Sequence, residues 1–476
     1  MSASIASSLD VSFAEEQFVA TVAAQGFFNR EEPIWVARAP GRLDVMGGNV
    51  DYTGGMVLQG LLCEAIWVAV QPRSNQTIRI LNPQAEGFGW APYLELGVAD
   101  LATVDSLRKA CAEREGWHWG LYVFGCLHFL RNCYGCGYFA GMDIFIASDL
   151  PPNKGVSSSA ALEMAVLKAC AAAWELRLSG VALATAGQWV ENVVAGAACG
   201  IMDQAAIALG RENCLLPMLC QACQPYAPIS LPAGICIWGI DSTATRSTSS
   251  AAYEKARAAA FMGYKLICQG EGLDVVMDKG SAIARWTDSR WNGYLSNVTP
   301  SEFRSRFERR LPESLSGAEF LAMAGVHVDP FTRVDLQEEY PVRSAARYAT
   351  EENHRVRSIY ALFEAGSAGL SEGSLQLAGE LLYQSHLAYG ECGLGSTECD
   401  ELVERAHRAG FAGAKMTGGG GGGVVAILGR VGNGPAVQTI AHEFAAKYDQ
   451  LPHVFEGSSM GVDAFGVRDM FLSSTW

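Results

Sequence analysis

Positive charge is scarce in this sequence: 35 lysines and arginines stand against 50 aspartates and glutamates, giving a net charge of -15 over 476 residues, and the basic residues form no cluster. The electrostatic footprint of a nucleic-acid or anionic-membrane binder is therefore missing. An anionic substrate must be met by local groups. No uncharged apolar stretch is long enough to span a bilayer, and the opening MSASIASSLDVSFAEEQF has neither a basic n-region nor an apolar core. The expectation is a cytoplasmic protein with no nucleic-acid and no membrane partner, and with a monomer as the default state. The P-loop pattern G-x-x-x-x-G-K-[ST], the zinc pattern H-E-x-x-H and the H-R-D and D-F-G sets of protein kinases are also absent, which excludes the usual nucleotide folds. Internal repeats and low-complexity linkers are absent as well.

What is present is globular. Hydrophobic residues make up 49% and charged residues 18%, a composition that can bury a large core, and the length predicts two or three domains. The 14 cysteines include two C-x-x-C pairs, Cys133/Cys136 and Cys220/Cys223. Their apolar surroundings favour reduced, buried thiols over a zinc or redox site.

From Trp35 the pattern is strand-like through WVARAP, MVLQGLL, AIWVAVQ and TIRILNP. Between the first two lies APGRLDVMGGNVDYTGG, whose glycines with Asp44, Asn49 and Asp51 predict a loop or bulged hairpin where backbone approaches a ligand closely. Helices are predicted at Asp105–Tyr134, Ser159–Trp174 and Val181–Ala195, giving an α+β domain over 1–224. A second α+β half, 225–476, opens with the strands of PISLPAGICIWGIDS and the helix AAYEKARAAAFMGYKLI. The charge-, tryptophan- and proline-rich stretch 285–344 reads as an elaboration between helices.

Three segments carry chemistry. PPNKGVSSSAALEMA, Pro151–Ala165, reads as a strand end, a turn at Gly155 and a helix start, a place where unpaired N–H groups and serine hydroxyls suit a phosphate; an ordinary serine-rich cap is the plainer alternative. GAKMTGGGGGGVVAIL leads into a strand rather than out of one, so it is not a dinucleotide fingerprint; its glycines imply backbone crowded by a neighbouring loop or a ligand. In WVENVVAGAACGIMDQAA, Glu191 and Asp203 stand in apolar company and are either salt-bridged or functional.

In order along the chain, APGRLDVMGGNVDYTGG, PPNKGVSSSAA, ENVVAGAACGIMDQ and KMTGGGGGGVV resemble the signatures of the GHMP small-molecule kinases, the first and third those of the galactokinase branch. VARAPGRLDVMGG, KGVSSSAALEMA, WGIDS, ARYATEENHRV and GECGLGST are most similar to the members of that branch that phosphorylate L-arabinose. The resemblance implies a two-domain GHMP kinase fold, with a mixed-sheet N-terminal domain, a ferredoxin-like C-terminal domain and the active site between them. It implies ATP and Mg2+, and transfer of phosphate to the anomeric hydroxyl of a small sugar.

Residue by residue, it assigns Lys154, Gly155, Val156, Ser157, Ser158, Ser159, Ala160 and Ala161 to the ATP loop and Ser159 with Glu191 to the metal. Asp203 is assigned as base, with Arg42 beside it. Gly48, Asn49, Asp51, Gly200, Asp203, Tyr253, Gly419 and Gly420 are assigned to the sugar. Galactokinase, another sugar or uronic acid 1-kinase, and a non-catalytic sugar sensor are the alternatives. The sensors lack a Ser-Ala pair in the serine loop, and Ser159-Ala160 is intact here. Galactokinases read G-E-H-T-D-Y where this chain reads Gly47 to Tyr52, so the glutamate and histidine that address the hydroxymethyl end of galactose are replaced by Gly48 and Asn49; the expectation is a preference for L-arabinose, with Gly48→Glu raising the galactose-to-arabinose ratio, while a glycine that makes room for the full hexose is the reading against it.

Overall fold

The computed structural model describes residues 8–132, 134, 140–244, 249–274, 276–277 and 286–472. The first sheet is built on β1 (Ile34–Met46), β2 (Met56–Pro72), β3 (Thr77–Leu81), β4 (Tyr93–Gly97), β5 (Met142–Ser148) and β6 (Cys214–Leu219). MVLQGLL and AIWVAVQ, two strands by sequence, are the one strand β2: its first half pairs with β6 and its second with β5, while β1 follows both. β3 and β5 run parallel and the other described pairings of this sheet are antiparallel.

Two register shifts bend β1, between Pro40 and Arg42 and between Asp44 and Met46. At the first, a Cβ on Gly41 would lie 2.4 Å from Leu150 Cδ1. The missing side chain lets the Arg42 amide donate to Val156 O at 3.1 Å, and β1 is thereby tied to the serine loop.

The helix expected over Asp105–Tyr134 is two helices, Val104–Ala112 and Gly120–Asn132, because Gly116 takes a φ of 73° and turns the chain between them. The stretch expected as Val181–Ala195 is an α-helix, Gly180–Trp189, followed by a π-helical turn, Val190–Ala195. The turn carries Glu191, and such bulges concentrate at functional sites.

The second unit is a four-stranded antiparallel sheet in the order 413–416, 424–430, 235–241, 454–455. The long helices Ser249–Gly270, Val342–Ala365, Glu372–Glu391, Thr397–Arg408 and Gly434–Tyr448 belong to the same half of the chain. The whole is an α+β arrangement with two main sheets, as the resemblance implies. A boundary at 224/225 does not fall between the sheets, however. The short strands Gln224–Pro225 and Ile229–Ser230 both pair with β6, and Arg468–Met470 returns to pair with β1.

The stretch 285–344 is more than a connection. Trp291, Leu295, Phe303, Phe307 and Phe320 form a separate core with Phe261 and Tyr264 of the helix Ser249–Gly270. It also reaches the first domain, where the Thr53 and Ser296 hydroxyls share a 2.8 Å hydrogen bond. Among the described residues no helix is long and apolar enough to cross a membrane. Cys220 and Cys223 are buried, and no group of three or more metal-ligating side chains occurs among the described residues. Cys133 and Cys136 lie outside the described residues.

Candidate active site

The serine loop turns into the helix Ser158–Ala173 through Ser157, whose φ of 60° is rare for a residue with a side chain. That conformation sends the Ser157 hydroxyl to Asp203 Oδ2, to which it donates at 2.5 Å, so Ser157 ties the loop to the acid rather than offering its hydroxyl to a phosphate. Arg42, 2% exposed, grips the other oxygen: Nε and Nη2 lie 2.9 and 2.7 Å from Asp203 Oδ1, and Nη1 donates to Gly155 O at 2.6 Å. One arginine thus joins β1, the serine loop and the helix Met202–Leu209 that carries Asp203.

Val156, Ala160 and Ala161 have their side chains in the hydrophobic core, so as loop residues they present backbone only. Lys154 is paired with Asp241 Oδ2 at 2.9 Å. First-turn N–H groups of a helix have no intrahelical acceptor, which leaves the Ser158 and Ser159 region as the donor surface for an anion.

Ser159 donates to Glu191 Oε1 at 2.9 Å, and Gln204 Nε2 to Glu191 Oε2 at 2.6 Å. Burial first, and then the negative charge of Asp203, push the Glu191 carboxyl up to about 7. Glu163 is held well above the carboxylate range by burial and by Glu191. Burial thus disfavours the charged forms of these carboxyls, and a hard cation between Ser159 and Glu191 would favour the ionised Glu191. Two oxygen donors suit magnesium, which completes its shell from water and substrate phosphates.

Asp51 is 5% exposed, and its carboxyl is pushed up to about 6 by burial, with Asp203 adding to the shift and Arg257 opposing it. Its Oδ1 accepts from the Tyr52 amide at 2.9 Å. Gly200 lies flat against it: a Cβ there would fall 1.8 Å from Asp51 Oδ2. Because the folded value lies above the ordinary 3.8, ionising Asp51 opposes folding. The stability tied to its neutral form is complete below pH ~4 and is lost as pH rises through 6. At about 1.4 kcal/mol per pKa unit the penalty at pH 7.5 is of order 2–3 kcal/mol. Asp51→Asn should therefore unfold at a higher temperature than wild type at pH 7.5, by a margin that shrinks toward pH 5, while losing activity. Equal or lower stability at pH 7.5 would show that Asp51 is not strained.

Asn49, with φ of 59°, is 2% exposed. Its Nδ2 lies 3.5 Å from Gly419 O, and its Oδ1 is buried with no partner. Gly48 does not face the cleft. A Cβ on it would lie 1.9 Å from the Tyr389 hydroxyl and 2.6 Å from Asp44 Oδ2, so a side chain there would meet protein and not the sugar expected beside it. Gly420 is likewise outside the cleft, against Leu394. The glycine run is crowded mostly by protein: a Cβ on Gly418 would meet Gly155 O at 2.9 Å, and one on Gly423 would meet Lys154 O at 2.7 Å. Of that run Gly419 alone lines the cleft.

Arg42, Asn49, Asp51, Glu191, Gly200, Asp203, Tyr253 and Gly419 line a polar cleft of about 290 Å3. A larger cavity of about 610 Å3, which sequence reasoning did not find, opens on the other side of the serine loop, walled by Ile66, Phe88, Trp90, His118 and Leu162 with Asn82 and Gln84. Tyr122, Asn153, Ser158 and Ser159 line both. An apolar, aromatic chamber and a polar, acidic one therefore meet over a helix start.

The GHMP kinases N terminal domain matches residues 121–211, the GHMP kinases C terminal domain residues 360–450, and the galactokinase galactose-binding signature residues 25–72. The chain thus carries both GHMP kinase domain signatures together with the galactokinase signature. Among curated proteins it is similar to L-arabinokinase of Arabidopsis thaliana, at 34% identity over 93% of this chain and 47% of that protein, so it spans about half the length of that relative. It is also 28% identical to galactokinase of Roseiflexus sp. strain RS-1 over 87% of this chain and 88% of that one. Among solved structures, Lactococcus lactis galactokinase complexed with galactose superposes with a TM-score of 0.72, covering 96% of this chain and 99% of that one at 22% identity, a likeness of fold.

Proposed function

We propose that the chain is an ATP-dependent sugar 1-kinase that transfers the γ-phosphoryl group to the anomeric hydroxyl of L-arabinose. The observation that carries the reading is the meeting of the two cavities at Ser158 and Ser159. The base and ribose of ATP fit the aromatic chamber, the sugar fits the polar cleft, and the phosphates then lie over the helix start between them.

In the cleft Asp51 accepts sugar hydroxyls with Asn49 beside it, and Asp203 Oδ2 accepts the anomeric proton. The anomeric hydroxyl is more acidic than an ordinary alcohol, so a carboxylate fixed by Arg42 can serve as its base. Arg42 also places positive charge where the transferring group passes, and the helix-start N–H groups add to it. Magnesium, held by Ser159 and Glu191, would supply neutralisation of the phosphate charge. Ser159→Ala and Glu191→Gln are each expected to raise the magnesium concentration for half-maximal activity by ~10-fold or more, with sugar affinity unchanged. Unchanged magnesium dependence in both would remove these residues from the metal.

For the sugar, the support is the similarity to L-arabinokinase. L-arabinopyranose has the ring configuration of galactopyranose without its hydroxymethyl group, so these two sugars are the comparison that decides the assignment. Turnover with ATP on L-arabinose, D-galactose, D-galacturonate and D-glucuronate tests the proposal. The expected result is a kcat/KM for L-arabinose ~10-fold or more above the others, which one lost or gained polar contact can supply. A tenfold preference for galactose would overturn the sugar assignment, and no turnover on any of the four would overturn the kinase.

A further inference from the structure

The ARYATEENHRV segment, residues 346–356, lies within the helix Val342–Ala365 and lines neither chamber of the site. Three of its side chains, all buried, nevertheless reach the loop that carries Asn49 and Asp51. The Tyr348 hydroxyl donates to Gly48 O at 2.7 Å, Glu352 Oε1 accepts from the Gly47 amide at 3.2 Å, and Asn353 Oδ1 accepts from the Met56 amide at 2.9 Å. The acid and the amide are fixed in turn: Ser385 Oγ donates to Glu352 Oε1 and Arg355 Nη1 to Oε2, both at 2.7 Å, and Asn353 Nδ2 donates to Ser296 O at 2.7 Å. One helix thus grips the loop where it leaves β1 and where it enters β2.

We propose that Tyr348, Glu352 and Asn353 are positioning residues for the acceptor sugar, holding both ends of the loop 47–56 so that Asn49 and Asp51 stand at fixed places in the cleft. That the ligand is a sugar rests on the sugar 1-kinase reading. Two consecutive glycines, the first with a φ of 101°, leave the loop entry many backbone conformations, and the bonds to Gly47 N and Gly48 O decide which is taken. Tyr348 and Glu352 stand four residues apart on the helix, which puts both on the face that meets those two neighbours. Between its ends the loop is bonded to itself: Gly55 N donates to Val50 O at 2.7 Å and Gly54 N to Asp51 O at 3.1 Å. Releasing an end therefore shifts the segment as a unit, and Asp51 with it. Burying a carboxylate is unfavourable unless its oxygens are bonded, and the partners of Glu352 include a backbone amide of this loop. Asp203 lies on another element, the helix Met202–Leu209, so the shift is felt in sugar binding before it is felt in the transfer step.

Steady-state kinetics of the full chain, with ATP and the preferred of the four sugars varied in turn, tests the role. Tyr348→Phe, Asn353→Leu and Glu352→Leu should each raise the sugar KM ~10-fold or more, with the KM for ATP and kcat within about threefold of wild type, the signature of lost ground-state binding. Glu352→Gln keeps an oxygen for the Gly47 amide and the Ser385 hydroxyl but loses the ion pair with Arg355, and it should restore most of the sugar KM. A merely structural role predicts the opposite split: lower melting temperature and lower kcat in Glu352→Gln and Glu352→Leu alike, with both KM values unchanged, and that result would overturn the proposal. A sugar KM as high in Glu352→Gln as in Glu352→Leu would place the effect in the ion pair and overturn the clasp on Gly47. Tyr348→Phe removes a single oxygen and carries the test alone if Glu352→Leu fails to fold; an unchanged sugar KM in it would then be decisive against the role. A wild type that phosphorylates none of the four sugars would overturn the kinase reading, and the positioning role with it.

Discussion

Asp203→Asn is expected to lower kcat by ~10²–10⁴-fold, the usual worth of a general base, while sugar and nucleotide affinities stay within a few-fold of wild type. The substitution is close to isosteric. The amide oxygen can still accept from Arg42 Nε and Nη2, now at 2.9 and 2.7 Å from Oδ1. On the other side the Ser157 hydroxyl, which donates to Oδ2 at 2.5 Å, can rotate to accept from the new amide. The clasp on the loop therefore survives and the proton acceptor does not. If Asp203 only oriented the sugar, the loss would appear mainly in KM. Single-turnover rates with both substrates saturating separate the two outcomes, and a rate within tenfold of wild type would remove Asp203 as the base.

Much of this site was legible in the sequence because it rests on local pattern. A loop of Gly155 and three serines opening onto an apolar helix, and single acids at Glu191 and Asp203 within apolar runs, can be seen without knowing what they face. What they face could not be seen. Ser157 meets Asp203 across 46 residues and Tyr389 meets Gly418 across 29, contacts that no spacing rule encodes. The aromatic chamber is assembled from Phe88, Trp90 and His118, which lie in turns and short connections and look like ordinary loop residues in sequence. The split at Gly116 did leave a signal, a glycine inside a helical pattern, but the apolar residues on both sides masked it. The sequence of 285–344 likewise shows charge and tryptophan, yet only the fold shows that it carries its own core and sends Asp329 to Arg257. The return of Arg468–Met470 to β1 is of the same kind: a short strand completing a distant sheet carries almost no periodicity of its own.

Gly48→Glu is expected to cost ~4 kcal/mol or more of stability and to abolish turnover on arabinose and galactose alike. The residue precedes Asn49 of the cleft, with the Tyr389 hydroxyl 1.9 Å and Asp44 Oδ2 2.6 Å from where a Cβ would stand. Tyr389, Asp44 and Lys415 are all fully buried. Asp44 is already balanced by Lys415 at 3.2 Å and by Gln59 at 2.7 Å. Overpacking alone costs ~1–3 kcal/mol, and a second buried carboxylate with no cation of its own adds several more, together a large part of an ordinary domain's ~5–15 kcal/mol. The damage would also reach the site, because Tyr389 holds Gly418 O at 2.8 Å and Tyr348 holds Gly48 O at 2.7 Å, fixing the backbone on either side of Asn49 and Gly419. Gly48→Ala isolates the steric component. It should lose ~10-fold in kcat/KM, and adding Tyr389→Phe, which removes the oxygen that the new methyl group meets, should recover part of the loss. A stable Gly48→Glu protein with a raised galactose-to-arabinose ratio would mean that Tyr389 swings aside readily. In that event the side chain at 48 would reach the cleft and take part in the choice of sugar.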